Sequence, residues 1–248
     1  MSFNTSNICL DDEISILVTG FAPFYENSLF NSSWEVARRL PSYLPATAST
    51  MTNSTDNADC LSADNIPPIR IHVHPDPIKV SYKSVRELVP TLWDSKKIDI
   101  VIHIGMAAKA NFYSIERLAH RDGYLMLDVD SVACPDLLER MTKGKDWIWY
   151  GLPEELLSDI DIDRVFSIWQ TLKPAADVRI SNDPGRFLCD FIYYSSLAEL
   201  ARRSKPKKVV FLHVPEETDE TSVKMGVEIT VQLIKAIVQS EIVDHKYE

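Results

Sequence analysis

Glycine is scarce in this chain, with 7 in 248 residues. No Walker loop, GxGxxG turn or G-x-S-x-G elbow occurs, so the usual sequence marks of nucleotide binding and of the serine α/β-hydrolases are missing. Positive charge is also short: Lys and Arg total 26 against 36 Asp and Glu, a formal net charge of −10. Without a basic stripe, nucleic acid and anionic membranes are poor partners. The one dense basic run, RRSKPKK (Arg202 to Lys208), reads as a solvated helix end and loop, because cations favour helix C-termini. No apolar run approaches the length of a membrane span, and the polar, acidic start MSFNTSNICLDDE has no secretory pattern. The expectation is a cytoplasmic protein, so the N-x-S/T triplets at Asn4, Asn31 and Asn53 read as chance matches. Four cysteines (Cys9, Cys60, Cys134 and Cys189) show no C-x-x-C spacing and are expected as free thiols. His72 and His74 share a strand face but have no evident third ligand, so no metal or other cofactor is expected.

What is present is ordinary globular material, 45% hydrophobic and 25% charged, in a chain long enough to bury a full core unaided. Short apolar runs read as strands at Ile14 to Gly20, Ile69 to Pro75, Ile98 to Gly105, Asp177 to Ser181 and Lys208 to Pro215. Helical spacing predicts WEVARRL, capped by Ser32 or Ser33 and stopped by Pro41. A second helix is predicted along IKVSYKSVRELVPTLWDS, and a third along DIDRVFSIWQTLK, capped by Asp161 or Asp163. Two more follow, GRFLCDFIYYSSLAELARR and a final helix with Val223, Val227, Val231, Ile234 and Ile237 on one face. Residues 42–65, rich in Ser, Thr, Asn, Asp and Ala, read as a polar surface insertion. Residues 106–160 show no clean period, with WIWYGLPEELL read as a loop containing a helical turn. Strands alternating with helices predict a single three-layer α/β/α sandwich on a mainly parallel sheet, with insertions near 42–65 and 131–160. Sites in such sheets lie at strand carboxyl ends, here after Gly20, after Gly105 and at His213.

Several residues carry chemistry. Cys189 follows the turn formers Asp183, Pro184 and Gly185. If Asp183 caps the helix, Cys189 falls in its second turn. If the helix instead starts near Phe187, the sulfur lies beside unpaired backbone amides that would activate it and could form an oxyanion hole. Alone, Cys189 reads as a buried filler, and His213 as a core histidine on a buried strand. Glu116, between Ile115 and Leu118, needs a partner. That partner could be an arginine, or a histidine which Glu116 would orient in a nucleophilic triad. Phe21 and Phe24 could pack the core or line a ligand pocket. His103 reads as structural, and His120 as the second candidate base.

Four stretches in order, LVTGFAPF, HIGMAAKANFYSIERLAHR, ISNDPGRFLCD and FLHVP, resemble the pyroglutamyl peptidase I family, most closely its larger fungal members. The resemblance runs from about Ile14 to the last helix. It implies a cysteine peptidase acting on N-terminal pyroglutamyl peptides through a Cys–His–Glu triad. The SIER glutamate, the LC cysteine and the HVP histidine fall on Glu116, Cys189 and His213. The GFxPF phenylalanines that hold the pyroglutamate ring fall on Phe21 and Phe24. Leu188 and Asn31 join them as candidate substrate contacts, Asn31 for the polar edge of the lactam. The oligomeric state differs within the family and stays open.

The sequence departs from the family pattern at Tyr25 and Glu26, at Ser32 after Asn31, at Asp183 and Pro184, and at AKAN. These changes spare the triad but alter the pocket rim. Lys109 or Arg186 is a candidate to supply a positive charge there. Two further readings stay open: a homologue that binds N-terminally blocked peptides without turnover, and a cysteine hydrolase of another small amide or ester.

Overall fold

Runs of buried β-branched residues make the central strands of the sheet. A computed structural model describes residues 13–24, 29–47, 66–94, 97–172 and 177–244. In it, β1 (Ile14–Gly20), β3 (Ile69–Val73), β4 (Ile100–Met106) and β9 (Val209–Val214) lie parallel in the order β3-β1-β4-β9. The short β2 (Tyr43–Leu44) adds an antiparallel edge on β3. At the other edge, β5 (Tyr113–Glu116) pairs antiparallel with β9, and β8 (Val178–Ser181) pairs parallel with β5. The sheet is thus seven-stranded and mainly parallel, as expected. The edge strands β2, β5 and β8 run against the four central strands.

Two hydrophobic layers enclose it. One face packs Ile16, Ile102, Val210 and Leu212 against α1 (Ser32–Ala37), α4 (Ile162–Leu172) and the long α6 (Glu220–Asp244). There Trp169 donates from Nε1 to the Ile229 carbonyl at 3.1 Å. The other face packs Leu17, Val101 and Phe211 under α2 (Tyr82–Leu88) and α5 (Leu188–Arg202). Among the described residues no helix is long and apolar enough to cross a membrane.

Local physics moves several expected boundaries. The cap of α1 is Asn31 rather than Ser32 or Ser33: its Oδ1 accepts from the Ser33 amide and hydroxyl, which a carboxamide does readily at an N-terminus. The second helix breaks after Leu88 into a 3₁₀ turn, Val89–Trp93, because Pro90 lacks an N–H and crowds the preceding turn. Asp161 caps α4, accepting from the Arg164 amide at 3.0 Å. Residues 155–157, read as loop, form β7 (Glu155–Leu157), which pairs with β6 (Leu118–His120) in a separate two-stranded sheet. Both strands are too short to show a period.

The two insertions are tethered at their roots. Thr47 and Ile66 exchange backbone hydrogen bonds; residues 48–65 between them lie outside the described residues. The 131–160 stretch contains α3 (Asp136–Lys143). It is pinned through Asp136, whose carboxylate takes hydrogen bonds from Arg86 of α2 and from Trp147 Nε1, while the Arg86 guanidinium lies 4.3 Å over the Trp149 ring.

Candidate active site

The turn before α5 decides where Cys189 points. Asp183 does not cap the helix. Its amide donates to Ser181 Oγ and its Oδ1 accepts from the Gly185 amide, a local turn that asparagine and aspartate favour. Gly185 sits at φ 79°, a left-handed conformation costly for residues with a Cβ. Phe187 is then extended, and the helix starts at Leu188 with no side-chain cap. Cys189 is therefore the second helical residue, in the turn whose backbone N–H groups have no intrahelical acceptor. It is a free, partly exposed thiol, as is Cys134 in its own location; Cys9 and Cys60 fall outside the described residues.

The sulfur rests over β4. A Cβ at Gly105 would lie 2.8 Å from Cys189 Sγ and 2.6 Å from Phe211 Cζ, so only glycine leaves room for it. Gly105 registers with His213 on β9, and His213 registers with Ser114 on β5. This brings side chains of three adjacent strands to one face. His213 Nδ1 meets Glu116 Oε1 at 2.8 Å, which leaves its other nitrogen for Cys189, a neighbour in the lining of the same cavity. Burial works against the imidazolium. The charge on Cys189 and the hydrogen bond to Glu116 outweigh it, raising the His213 pKa to about 10. Glu116 is itself buried; its Oε1 also accepts from Ser114 Oγ at 3.2 Å, and its backbone carbonyl accepts from Tyr193 Oη.

The seven residues assigned to the triad and to substrate contact line one cavity of about 590 Å³: Cys189, His213, Glu116, Phe21, Phe24, Asn31 and Leu188. Phe21 and Phe24 form one end with Phe187, whose ring centroid lies 6.3 Å from that of Phe24. Asn31 Nδ2 donates to the Ala22 carbonyl. One amide N–H remains to it beyond its capping duties.

The other titratable candidates lie elsewhere. His103 is buried between Thr19 Oγ1 and Ser196 Oγ, 2.8 Å from each, and burial lowers its pKa to about 3. His120 does not reach Glu116: its amide and Nδ1 bind the Asp190 carboxylate at 2.8 and 2.9 Å. Arg117 turns out to Asn182 and Asp163. Neither Lys109 nor Arg186 lines the cavity; Arg186 donates to the Asp122 carbonyl. The cation that does line it is Arg179 on β8, stacked on Phe112. Sequence reading missed Phe112, Arg179, Ser114 and Phe187 because each sits in a short or irregular segment. The one available signal was polar alternation in FYSIE and VRIS.

A family model described as pyroglutamyl peptidase matches residues 43–243. Human pyroglutamyl-peptidase 1 is 32% identical over 201 residues, spanning 81% of this chain and 78% of the human one. The chain belongs to the pyroglutamyl peptidase family. That makes it a hydrolase of the cysteine omega-peptidase kind. The pyrrolidone-carboxylate peptidase of Thermococcus onnurineus is 26% identical over 234 residues, covering 92% of this chain and 99% of that one. Among solved structures, a mutant pyrrolidone carboxyl peptidase from Pyrococcus furiosus superposes with a TM-score of 0.66 at 22% identity, over 92% of this chain and 100% of that one. This places the pyroglutamyl peptidase fold on the whole α/β/α sheet. The matched span 43–243 holds Glu116, Cys189 and His213, whereas Phe21, Phe24 and Asn31 precede it.

Proposed function

We propose that this pyroglutamyl peptidase removes N-terminal pyroglutamate from peptides, with Cys189 as nucleophile, His213 as acid and base, and Glu116 as the group that orients His213. The observation that carries the reading is the His213–Glu116 hydrogen bond beside Cys189 in one aromatic-lined cavity.

The thiolate of Cys189 attacks the carbonyl carbon that joins pyroglutamate to the next residue. The new C–S bond pushes charge onto the carbonyl oxygen, which the first amides of α5, at Leu188 and Cys189, are placed to receive. The C–N bond then breaks as His213 gives its proton to the leaving amine. The remaining thioester is attacked by water, whose proton His213 takes. The C–S bond breaks, pyroglutamate leaves, and the Cys189 thiolate and protonated His213 are restored. Glu116 holds the ring through Nδ1 and stabilises its cation throughout. The flat, neutral lactam suits the aromatic end that Phe21, Phe24 and Phe187 line, with Leu188 also in the lining and the spare N–H of Asn31 available to its carbonyl. Proline and glutamate at that position leave polar groups unpaired on one side or the other and are rejected.

The test is direct. The purified protein, under reducing conditions, should release pyroglutamate from a pyroglutamyl peptide, and Cys189→Ala should abolish the release. A panel of other N-blocked peptides and small esters should react roughly 10⁴-fold more slowly, the discrimination expected when buried polar groups lose their partners. An alanine variant of unchanged activity would refute the role of Cys189. Equal rates across the panel would refute the lactam slot.

A further inference from the structure

The cavity is larger than a single lactam requires; about 590 Å³ is the size of a drug-scale ligand site. Its surplus has a direction. The sheet order across the site is β1-β4-β9-β5-β8. The aromatic end follows β1, Cys189 lies over β4, and His213 stands on β9. A leaving amine that takes its proton from His213 therefore departs toward β5 and β8. There the register of Ser114 with Arg179, and of Glu116 with Ser181, turns Arg179 and Ser181 to the same face as the triad. Both line the cavity, as does Phe112.

We infer that Arg179 and Phe112 form the subsite for the residue that follows pyroglutamate, and that it favours an aromatic side chain there. This rests on the peptidase reading above. The guanidinium carbon of Arg179 lies 3.8 Å from the Phe112 ring centroid. Its edge is held by Asp177, through Nε to Oδ1 at 3.1 Å and Nη2 to Oδ2 at 2.9 Å. One face of the plane is thus stacked and one edge neutralised, while about half of the side chain (52%) stays open. Asp183 adds a second carboxylate at this end of the cavity. An acidic side chain gains little from a cation already paired at an exposed site. An aromatic ring can still stack on the open guanidinium face, since a planar cation attracts a π-system on either side. The geometry prescribes a platform rather than a charge clamp.

The experiment compares pyroglutamyl-phenylalanine amide, pyroglutamyl-alanine amide and pyroglutamyl-glutamate amide, followed by chromatography of the released amine. A coumarin leaving group is avoided because it would itself occupy the platform. The wild-type protein should turn over the phenylalanine peptide with kcat/KM about fivefold above the alanine peptide, as expected for an exposed cation–π contact. Arg179→Ala should lower kcat/KM for the phenylalanine peptide about fivefold relative to that for the alanine peptide, removing the advantage, and Arg179→Met, which keeps bulk without the planar cation, should do the same. Equal turnover of all three peptides overturns the subsite alone. So does a preference for glutamate, or an Arg179→Ala loss equal for all substrates. If no peptide is cleaved, the peptidase reading falls and the subsite falls with it.

Discussion

His213 is the residue on which the chemistry turns. Its raised pKa keeps the proton on the ring through the neutral range and releases it only as pH climbs toward about 10. The acid form is needed to expel the amine, so the alkaline limb of kcat/KM, which reports the free enzyme, should lie near that value. Glu116→Gln removes the carboxylate charge and the preferred acceptor for Nδ1. It should move the alkaline limb to lower pH and reduce kcat on the order of 10³ to 10⁴-fold, the cost of a wrongly held imidazole in a comparable triad. A pH–rate profile of the variant checks both; an unmoved limb would mean that Glu116 is structural only. Glu116 and His213 were legible as a pair only through their motifs. Taken singly, a buried carboxylate and a strand histidine both read as ordinary core features. Arg179 could not be found this way at all. Its role depends on the register of a four-residue edge strand, and edge register leaves almost no trace in composition.

At the scale of elements, the site depends on how closely α5 approaches the sheet. The long buried strands β1, β4 and β9 announce themselves as apolar runs, and their carboxyl ends locate the site. The reversed pair β5 and β8 is only four residues per strand, so its direction was hidden. The start of α5 had two readings in the sequence. It is settled by Gly185 at positive φ and by Asp183 closing a turn on its own backbone. This leaves Pro184 in the turn, upstream of the helix. Tyr25 and Glu26, the other departures from the family pattern, fall outside the described residues. The contact between α5 and β4 has no slack at Gly105. Gly105→Ala should cost about 1–3 kcal/mol of stability from overpacking, and displacing the sulfur should lower kcat by about 10-fold or more. Gly226→Ala is the control. Its Cβ would press within 2.5 Å of Val36 in the opposite layer, so it should destabilise to a similar degree while leaving kcat near wild type. Thermal melts set beside steady-state rates separate the two. Equal kcat in both variants would mean that the approach to Gly105 is not what seats the nucleophile.

For the whole molecule, the question is whether the 131–160 stretch belongs to the same folding unit as the sheet. The Arg86–Asp136–Trp147 anchor and the packing of Trp149 against Phe191 and Tyr194 tie it to α2 and α5. A single folding unit is the reading these anchors support. It predicts that urea unfolding followed by the fluorescence of Trp147 and Trp149, with Trp34, Trp93 and Trp169 replaced by Phe, coincides with far-ultraviolet circular dichroism, which senses the whole sheet. An earlier fluorescence transition would mean that the stretch opens by itself. Arg179, the one arginine or lysine among the described residues that line the cavity, is paired with Asp177, so selection of substrate is expected to rest on shape, stacking and hydrogen bonds more than on charge.

The central claim is that Cys189 carries the acyl group. The most direct measurement is mass spectrometry of protein quenched in acid during turnover of an activated pyroglutamyl ester, followed by digestion. The account predicts one pyroglutamyl group added to the peptide containing Cys189, labile to hydroxylamine, and absent from Cys189→Ala. Turnover of the same ester with the label on another residue, or with the alanine variant still acylated, would contradict it.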